Sequence, residues 1–439
     1  MFNNLSLKSN QDFSIFWFRR DLRLEDNNGL LAALAGPYPV LPVFFFDPEI
    51  LDKLQGPSDK RIDFIHLQLG RLKATLEQMG STLYVLKTMP IEGFRSLAEQ
   101  GNLKEVYTNH DYEPQAIARD QRVIALLEGQ EIWFHTFKDQ VIFEKNEVLK
   151  QDGTPFSVFT PYSKKWLTTY QALNTKQPIP IWKNLLKTNP STLPSIEDIG
   201  FTPSHITFPQ ADFPKDIIRN YGKTRDLPAL ATSKLGVHLR FGTISIRSLV
   251  SEAFSANSIF LNELIWREFF MSILYHFPRV CTTSFRPEYD RIPWLNDPED
   301  FQRWQEGRTG FPLVDAGMRE LSATGFMHNR VRMLTASFLT KDLLIDWRWG
   351  EAWFAEKLLD FELSANNGNW EWAAGCGCDA APYFRIFNPE IQRTKFDPDN
   401  EYIRKWVPEF GSRDYPAPMV SHDFARKRCL QTYKIALQS

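Results

Sequence analysis

A polar and aromatic run within a helical pattern, Gly325 to Pro389, constrains this chain more than any other feature. The run reads GFMHNRVRMLTASFLTKDLLIDWRWGEAWFAEKLLDFELSANNGNWEWAAGCGCDAAPYFRIFNP, and its apolar residues have the spacing of buried helices. Its Asn, Arg, Asp, Glu and Trp side chains are costly to bury unless they pair with one another or with a ligand. The sequence therefore predicts a large, flat and polar ligand inside a helical region.

The composition is that of a globular protein without an overall cationic field. The chain has 439 residues, of which 43% are hydrophobic and 24% charged, and its formal net charge is −2. Cations and anions are also balanced from Thr207 onward. A polyanion such as DNA would therefore have to bind a local basic patch.

The four cysteines do not suggest a disulfide framework in a chain of this length. Cys376-Gly-Cys378 is too weak a pattern for a metal site, and we expect no bound metal. The start, MFNNLSLKSNQDF, lacks the layout of a signal peptide, and no apolar run is long enough to span a membrane. These features predict a soluble protein of a reducing compartment, the cytoplasm. The other two cysteines are Cys281 and Cys429.

The first third of the chain alternates short apolar runs with amphipathic segments, which predicts an α/β domain with a parallel sheet of about five strands. No G-x-G-x-x-G follows the first strand, so the usual dinucleotide fingerprint is missing. The predicted strands are Phe13–Phe18, Val40–Phe46, Thr82–Leu86, Glu105–Asn109 and Ile132–Phe137. The predicted helices are Ser58–Met79, Phe94–Glu99 and Gln115–Leu127.

The rest of the chain predicts a connector and a helical domain. Residues 138–206 are rich in proline, which blocks long helices and suits a linker. The later pattern is helical. We therefore predict an α/β domain over residues 1–137, a linker over 138–206 and an all-α domain over 207–439.

Four segments resemble the photolyases and cryptochromes: FWFRRDLRL (Phe16–Leu24), TSKLGVHLRFG (Thr232–Gly242), NELIWREFF (Asn262–Phe270) and GFPLVDAGMREL (Gly310–Leu321). The Gly325–Pro389 run matches the same family, most closely the bacterial class I cyclobutane pyrimidine dimer photolyases. This resemblance implies an N-terminal antenna-type domain and a helical domain that binds FAD. It also implies light-driven repair, in which excited, reduced, anionic FAD passes an electron to a flipped-out dimer in DNA.

The resemblance implies a set of residues that contact FAD. Thr232–Gly236 offers hydroxyl and N–H groups suited to a pyrophosphate at a helix start, although taken alone it is more typical of an ordinary helix cap. Gly236 stands where the family usually has Ser, and Glu362 where it usually has Asp. Asn366 matches the position that faces flavin N5, which favours repair over signalling. The implied set is Tyr221, Thr232, Ser233, Lys234, Leu235, Gly236, Arg267, Arg332, Asp360, Glu362 and Asn366.

A second implied set contacts the lesion and the DNA. Glu263 and Trp266 are three residues apart and so share a helix face. Met333 stands where enzymes for the 6-4 photoproduct carry His, and Phe326 replaces a usual Trp. The residues implied in catalysis are Glu263, Asn329, Met333 and Asn366. Those implied in DNA or lesion binding are Arg225, Glu263, Trp266, Asn329, Arg330, Met333, Trp372 and Gln392, with Arg393 and Lys395 beside them.

Three tryptophans, Trp294, Trp347 and Trp370, match the chain that passes electrons from the surface to oxidised flavin. Their spacing alone indicates only core aromatics. An antenna chromophore is also implied for some relatives: Glu113 matches a folate-contacting position, but Pro114 replaces the adjacent Asn. Folate, a deazaflavin and an empty antenna site all remain open.

The expected partner is ultraviolet-damaged DNA, with no membrane, no obligate protein partner and a monomeric state. Two other functions stay open. One is a cryptochrome-type blue-light photoreceptor, and the other is repair of the 6-4 photoproduct.

Overall fold

The computed structural model describes residues 11–100, 102–173, 179–204 and 206–438. The chain forms two compact units. The first comprises Met1–Glu144, Thr169–Ala211 and Leu235–Ser251, and the second comprises Lys145–Thr168, Asp212–Lys234 and Glu252–Ser439. The predicted boundaries at residues 137 and 206 stay a prediction. The chain start, read as lacking a signal peptide, and linker residues 174–178 and 205 lie outside the described residues.

The first unit contains a parallel five-stranded sheet, which confirms the predicted α/β class. The strand order is β3-β2-β1-β4-β5, and all four pairings are parallel. Strands β1 and β2 are buried along nearly their whole length, as expected where both faces of a parallel sheet are covered. The strands are β1 (Asp12–Phe18), β2 (Val40–Phe46), β3 (Tyr84–Lys87), β4 (Asn102–Asn109) and β5 (Trp133–Phe137).

Five helices accompany this sheet. They are α1 (Asn28–Ala35), α2 (Pro48–Leu51), α3 (Lys60–Gln78), α4 (Pro90–Glu99) and α5 (Pro114–Glu128). Helix α3 begins after Asp59, whose carboxylate accepts a hydrogen bond of 2.8 Å from the Arg61 N–H. Its residues Ile62, Leu69 and Leu76 are buried, which confirms the predicted apolar face.

The remaining chain is helical. Pro298, Pro312 and Pro389 each occupy the first helical position, where the missing N–H costs nothing. A π-helical turn, Phe338–Asp342, follows α14. The helices are α6 (Phe159–Gln171), α7 (Ile196–Ile199), α8 (Lys215–Thr224), α9 (Gly236–Phe241), α10 (Ile246–Ala256), α11 (Ser258–His276), α12 (Pro298–Gln305), α13 (Pro312–Thr324), α14 (Asn329–Ser337), α15 (Trp347–Lys357), α16 (Leu363–Ala374), α17 (Pro389–Phe396), α18 (Glu401–Trp406) and α19 (His422–Gln438).

Helix α16 lies very close to two neighbours in the second unit. A Cβ atom on Gly350 of α15 would lie 2.1 Å from the Trp370 ring, and one on Gly368 would lie 2.2 Å from the Phe270 ring of α11. Only glycine permits both approaches, because real Cβ atoms essentially never come within 3.0 Å of such atoms. These two contacts place the side chains of α16 against α15 and α11.

Two further features bear on function. Across the described ranges, no helix is both long and apolar enough to cross a membrane. The same residues contain no group of three or more His, Cys, Asp or Glu side chains that could hold a metal ion. All four cysteines are free thiols.

Candidate functional site

An open cavity lies within the second unit among α14, α15 and α16. One part of its wall is polar and comprises Asn329, Arg332, Asp360, Glu362, Asn366 and Asn369. The other part is apolar and comprises Met333, Ala336, Phe354, Leu358, Ala365, Trp370, Trp372 and Ala373. The expected polar region inside the helical half is therefore a cavity wall.

An ion pair holds the polar wall in place. Arg332 Nη2 lies 3.1 Å from Asp360 Oδ1 and 3.0 Å from Oδ2. Arg332 Nε also donates a 2.8 Å hydrogen bond to the main-chain oxygen of Met327. The guanidinium is thus fixed by charge-assisted bonds on two sides. The predicted pairing of these two residues is present, and both line the cavity.

Asn366 is 8% exposed and lines the same cavity. Its amide nitrogen donates to the main-chain oxygen of Glu351 at 3.0 Å and to Glu351 Oε1 at 3.2 Å. A main-chain oxygen can only accept, so the amide must present its nitrogen to Glu351 and its own oxygen to the other side. Burial raises the pKa of the Glu351 carboxyl, and the bond from Asn366 opposes this rise. Sequence reasoning missed Glu351.

Glu362 and Arg267 form a long ion pair of 4.0 Å. Glu362 occupies the N-cap position of α16 but makes no side-chain capping bond. An Asp at this position would be a good cap, because its shorter side chain reaches the first free N–H groups. Glu362, which is one methylene longer than Asp, therefore extends towards Arg267 and does not cap the helix. Glu362 lines the cavity, whereas Arg267 does not.

His328, in the matched MHNR segment, is neutral at physiological pH. Burial, with the charge of Arg332, lowers the pKa of the His328 imidazole to about 4. Its Nδ1 accepts a 3.1 Å bond from the Arg330 N–H and so caps α14. This cap fixes the first turn of α14, which carries Asn329 and Met333 into the cavity wall.

Trp266 and Trp372 do not share one wall. Trp372 lines the cavity, whereas Trp266 lies outside its lining. The Trp266 ring is stacked on Phe159, with centroids 3.7 Å apart and planes at 6°. Phe159 therefore covers one face of the Trp266 ring, and the lesion contact of Trp266 stays a prediction. Sequence reasoning missed Phe159, because it precedes Trp266 by 107 residues and no periodic pattern links them.

Glu263 also lies outside the cavity lining and is paired with Arg225. Arg225 Nη1 lies 2.6 Å from Glu263 Oε1. Burial raises the pKa of Glu263, while the Arg225 guanidinium lowers it and Asp226 raises it. Two residues predicted to contact DNA and lesion thus contact each other here.

The three predicted electron-transfer tryptophans lie at different depths. Trp370 lines the cavity and packs on Phe354, with ring centroids 5.0 Å apart. Trp347 is buried at the start of α15, and Trp294 is partly exposed with its ring 5.9 Å from Tyr433. A further tryptophan, Trp304, lies edge-on to Trp370 at 6.2 Å. The order of transfer stays a prediction.

The predicted phosphate segment lies at the start of helix α9. The helix begins at Gly236, Thr232, Ser233 and Lys234 precede it as a loop, and Leu235 is its buried N-cap. The backbone of Lys234 is left-handed, with a φ of +49°. The Lys234 ammonium lies 5.1 Å from the Phe326 ring centroid.

Tyr221 lies on α8, apart from the cavity lining, with its ring 5.2 Å from that of Phe260. Burial raises the pKa of the Tyr221 hydroxyl, and the charge of Glu263 adds to this rise. The hydroxyl therefore stays protonated at physiological pH and remains a hydrogen-bond donor.

The candidate DNA-binding cations are partly engaged. Arg330 pairs with Asp226 at 2.7 Å, and its guanidinium lies 4.4 Å from the Phe396 ring centroid. Arg393 is bonded to Glu390 on the same helix, α17, which also carries Gln392 and Lys395. A phosphate bound by either arginine would share the guanidinium with these carboxylates or displace them.

The candidate antenna residue lies in the first unit. Glu113 Oε1 accepts bonds from Arg20 at 2.8 Å and from Arg240 at 2.6 Å. Two guanidinium groups therefore already compensate this carboxylate. Its contact with a folate stays a prediction.

Comparison with known proteins gives a consistent result. The family described as "DNA photolyase" matches residues 14–181, and the one described as "FAD binding domain of DNA photolyase" matches residues 260–412. The deoxyribodipyrimidine photo-lyase of Vibrio cholerae is 36% identical, over 96% of this chain and 99% of the relative. An archaeal photolyase from Sulfolobus tokodaii, solved with two FAD molecules, superposes with a TM-score of 0.84 at 32% identity, over 97% of this chain and all of that one. A class III photolyase from Agrobacterium tumefaciens gives 0.80 at 30% identity, over 99% of each chain.

Proposed function

We infer that this chain, which belongs to the photolyase and cryptochrome family, is a deoxyribodipyrimidine photo-lyase that repairs cyclobutane pyrimidine dimers in DNA with light. One observation carries the proposal beyond family membership. A single cavity brings the Arg332–Asp360 pair and Asn366 together with Trp372, Asn329 and Met333. Residues that we propose for the flavin and residues that we propose for the lesion thus line the same cavity.

The residues present fit FAD. The cavity lining combines charged and amide groups, which suit the polar edge of a flat flavin ring, with aromatic and aliphatic side chains. Arg332 would hold the carbonyl edge of that ring, with Asp360 compensating its charge. Glu362 would accept a hydrogen bond from a ring N–H group. Tyr221 and the Thr232–Gly236 segment are our candidates for the phosphates.

Bound FAD supplies the photochemistry, because its reduced anionic form absorbs blue or near-ultraviolet light and donates an electron to the dimer, which returns after the ring bonds break. The protein supplies orientation and electrostatics. Asn366 presents its amide oxygen away from Glu351, so it can accept a hydrogen bond from a ligand N–H. A neutral amide also adds no negative charge beside an anionic ring.

We assign lesion recognition to Trp372, Met333 and Asn329, which line the cavity, and to Trp266 and Glu263, which do not. Enzymes that act on a base, photolyases among them, flip it out of the duplex at a cost of a few kcal/mol. Trp372, with Met333 and Asn329, would receive the flipped bases. Trp266 has only the ring face opposite Phe159 left for stacking. Glu263 would hydrogen-bond the pyrimidine edge.

We propose that a few basic and polar side chains, and not an overall positive charge, bind the DNA backbone. Arg225 and Arg330 are our main candidates for phosphate contacts, followed by Gln392, Arg393 and Lys395. Loss of either arginine should weaken binding to all sequences and flatten its salt dependence.

Trp370 is the candidate donor that restores reduced flavin, with Trp347 and Trp294 behind it. We also propose that the protein acts as a cytoplasmic monomer and needs no protein partner.

The test is a repair assay with purified protein at full flavin occupancy. An oligonucleotide with one thymine dimer is incubated with the reduced protein under blue light and in the dark, and intact thymines are measured by chromatography. We expect restoration only in the light. An oligonucleotide with a 6-4 photoproduct serves as the substrate control and should stay unrepaired. No restoration of the dimer in the light would refute the proposal and favour a photoreceptor.

A further inference from the structure

Two side chains with separate proposed ligands neutralise each other in the DNA-free protein. Arg225 caps the C-terminal end of α8, and Glu263 lies on α11. Their charged atoms are 2.6 Å apart, and the side chains are 30% and 31% exposed. The Arg225 guanidinium also lies 5.4 Å from the Tyr221 ring centroid. The pair is therefore partly shielded yet still reachable from solvent.

Arg225 cannot serve Glu263 and a DNA phosphate equally well. A DNA phosphate offers a guanidinium two free oxygens for bidentate binding, whereas Glu263 contacts Arg225 through one oxygen only. Arg225 has two acidic neighbours, Glu263 at 2.6 Å and Asp226 at 3.9 Å. Asp226 keeps a second partner, Arg330, at 2.7 Å. When Arg225 turns to a phosphate, Glu263 is the group that loses its compensating charge.

We propose that Arg225 is a relay: when it pairs with a phosphate of bound DNA, Glu263 takes up a proton from water and becomes a hydrogen-bond donor to a carbonyl oxygen of the lesion. The inference rests on the proposed function and deepens it. The proton comes from bulk water on binding and returns to it when DNA leaves, so the step is balanced. Arg225 is a positioning residue, since it acts on the lesion through Glu263.

The surroundings of Glu263 support the relay. Burial is the largest influence on its carboxyl and raises its pKa, the Arg225 guanidinium lowers it, and Asp226 raises it. Removal of the guanidinium therefore leaves two influences that both favour the neutral acid. The remaining ionisable neighbour, Tyr221, is uncharged at physiological pH because its own pKa is raised by burial.

The consequence is a coupling between backbone contact and lesion chemistry. A carboxylate can only accept hydrogen bonds, whereas a carboxylic acid can donate one to a carbonyl oxygen on which negative charge develops. Glu263 gains this capacity only when a phosphate has engaged Arg225. The hydrogen-bond donor of the lesion site therefore forms only when DNA binds.

The experiment measures protons taken up when the flavin-loaded protein binds a dimer-containing oligonucleotide. Calorimetric titrations at pH 7 in buffers of different ionisation enthalpy give this number directly. We expect a net proton uptake on binding, which declines as the pH rises until Glu263 stays ionised in the complex. Glu263→Gln should bind the dimer without uptake. Arg225→Gln should lose most of the uptake, because no guanidinium is left to move away from Glu263.

Two variants complete the design. Arg225→Lys keeps a cation that can exchange partners and should retain part of the uptake. Arg393→Gln also loses a candidate phosphate contact, but Arg393 pairs with Glu390 and not with Asp226 or Glu263, so this variant should bind more weakly with the uptake unchanged. Preferential dimer binding without proton uptake, or the same uptake in Glu263→Gln, would overturn the relay while the proposed function stands. Equal affinity for damaged and undamaged DNA would overturn both.

Discussion

Substitution of Gly368 by Ala tests the packing that brings α11 against α16. The new Cβ would lie 2.2 Å from Phe270 Cδ1, whereas ordinary contact begins at 3.4 Å, so the ring and helix must separate by about 1.2 Å. Overpacking of this kind costs about 1–3 kcal/mol. The better helix propensity of Ala returns about 1 kcal/mol at most. We expect a net loss of up to about 2 kcal/mol in the free energy of unfolding.

The assay is urea unfolding of the whole chain, monitored by near-ultraviolet circular dichroism, with dimer affinity as a second readout. Gly70→Ala is the matched control, because α3 leaves its Cβ at an ordinary 3.8 Å from Leu193. This control should gain stability by about 0.5–1 kcal/mol. Gly368→Ala should also bind the dimer more weakly, since Trp266 packs on Phe270 at 5.4 Å. If Gly368→Ala is stabilised as much as the control, the close approach of α11 and α16 is wrong.

Three further predictions concern the cavity and helix α16. Asn366→Asp should keep flavin bound but speed reoxidation of the reduced form, because a carboxylate repels the anionic ring. The control is Asn369→Asp, on the exposed part of the cavity wall, which should change the reoxidation rate less. Trp370→Phe should abolish photoreduction of oxidised flavin, measured by spectrophotometry. Repair by the chemically reduced variant should stay intact. Loss of both activities would contradict the proposed role of Trp370. Burial raises the pKa of Glu371 from 4.5 to about 8. The folded protein therefore holds this proton more tightly than the unfolded chain, and its unfolding free energy should fall between about pH 4.5 and pH 8, by about 2 kcal/mol or more. Glu371→Gln should remove most of that decline.

The sheet could be predicted because strands that are buried on both faces appear in the sequence as continuous apolar runs. The run FSIFWF has no polar alternation, and the structure has β1 there with nearly every side chain buried. Helix α3 was predicted from Ile62, Ile65, Leu69, Leu72 and Leu76, of which Ile65 is half-buried and the other four are buried. Local periodicity decides such elements, and their ends differ by a few residues because caps and turns decide where they stop.

The site was only partly predictable. Arg332, Asp360 and Asn366 were assigned from resemblance, and the structure places all three on one cavity wall. Their partners were not assigned: Glu351 binds Asn366 from a neighbouring helix, and Phe159 covers Trp266. Such contacts join residues far apart in the chain, and no spacing rule records them.

The Arg225–Glu263 pair is another contact that could not be predicted from the sequence. Both residues were assigned from the sequence, but to different ligands. Only the structure shows that they neutralise each other at 2.6 Å. The assignment to class I also stays a prediction, since a class III photolyase is among the solved structures that resemble this chain.

The fluorescence lifetime of the reduced flavin tests the central claim most directly. The account holds that the cavity places flavin close enough to a dimer for an excited electron to reach it. The lifetime should therefore shorten when an oligonucleotide with a thymine dimer binds, and stay unchanged with the same oligonucleotide undamaged. An unchanged lifetime with the dimer fully bound would contradict the account.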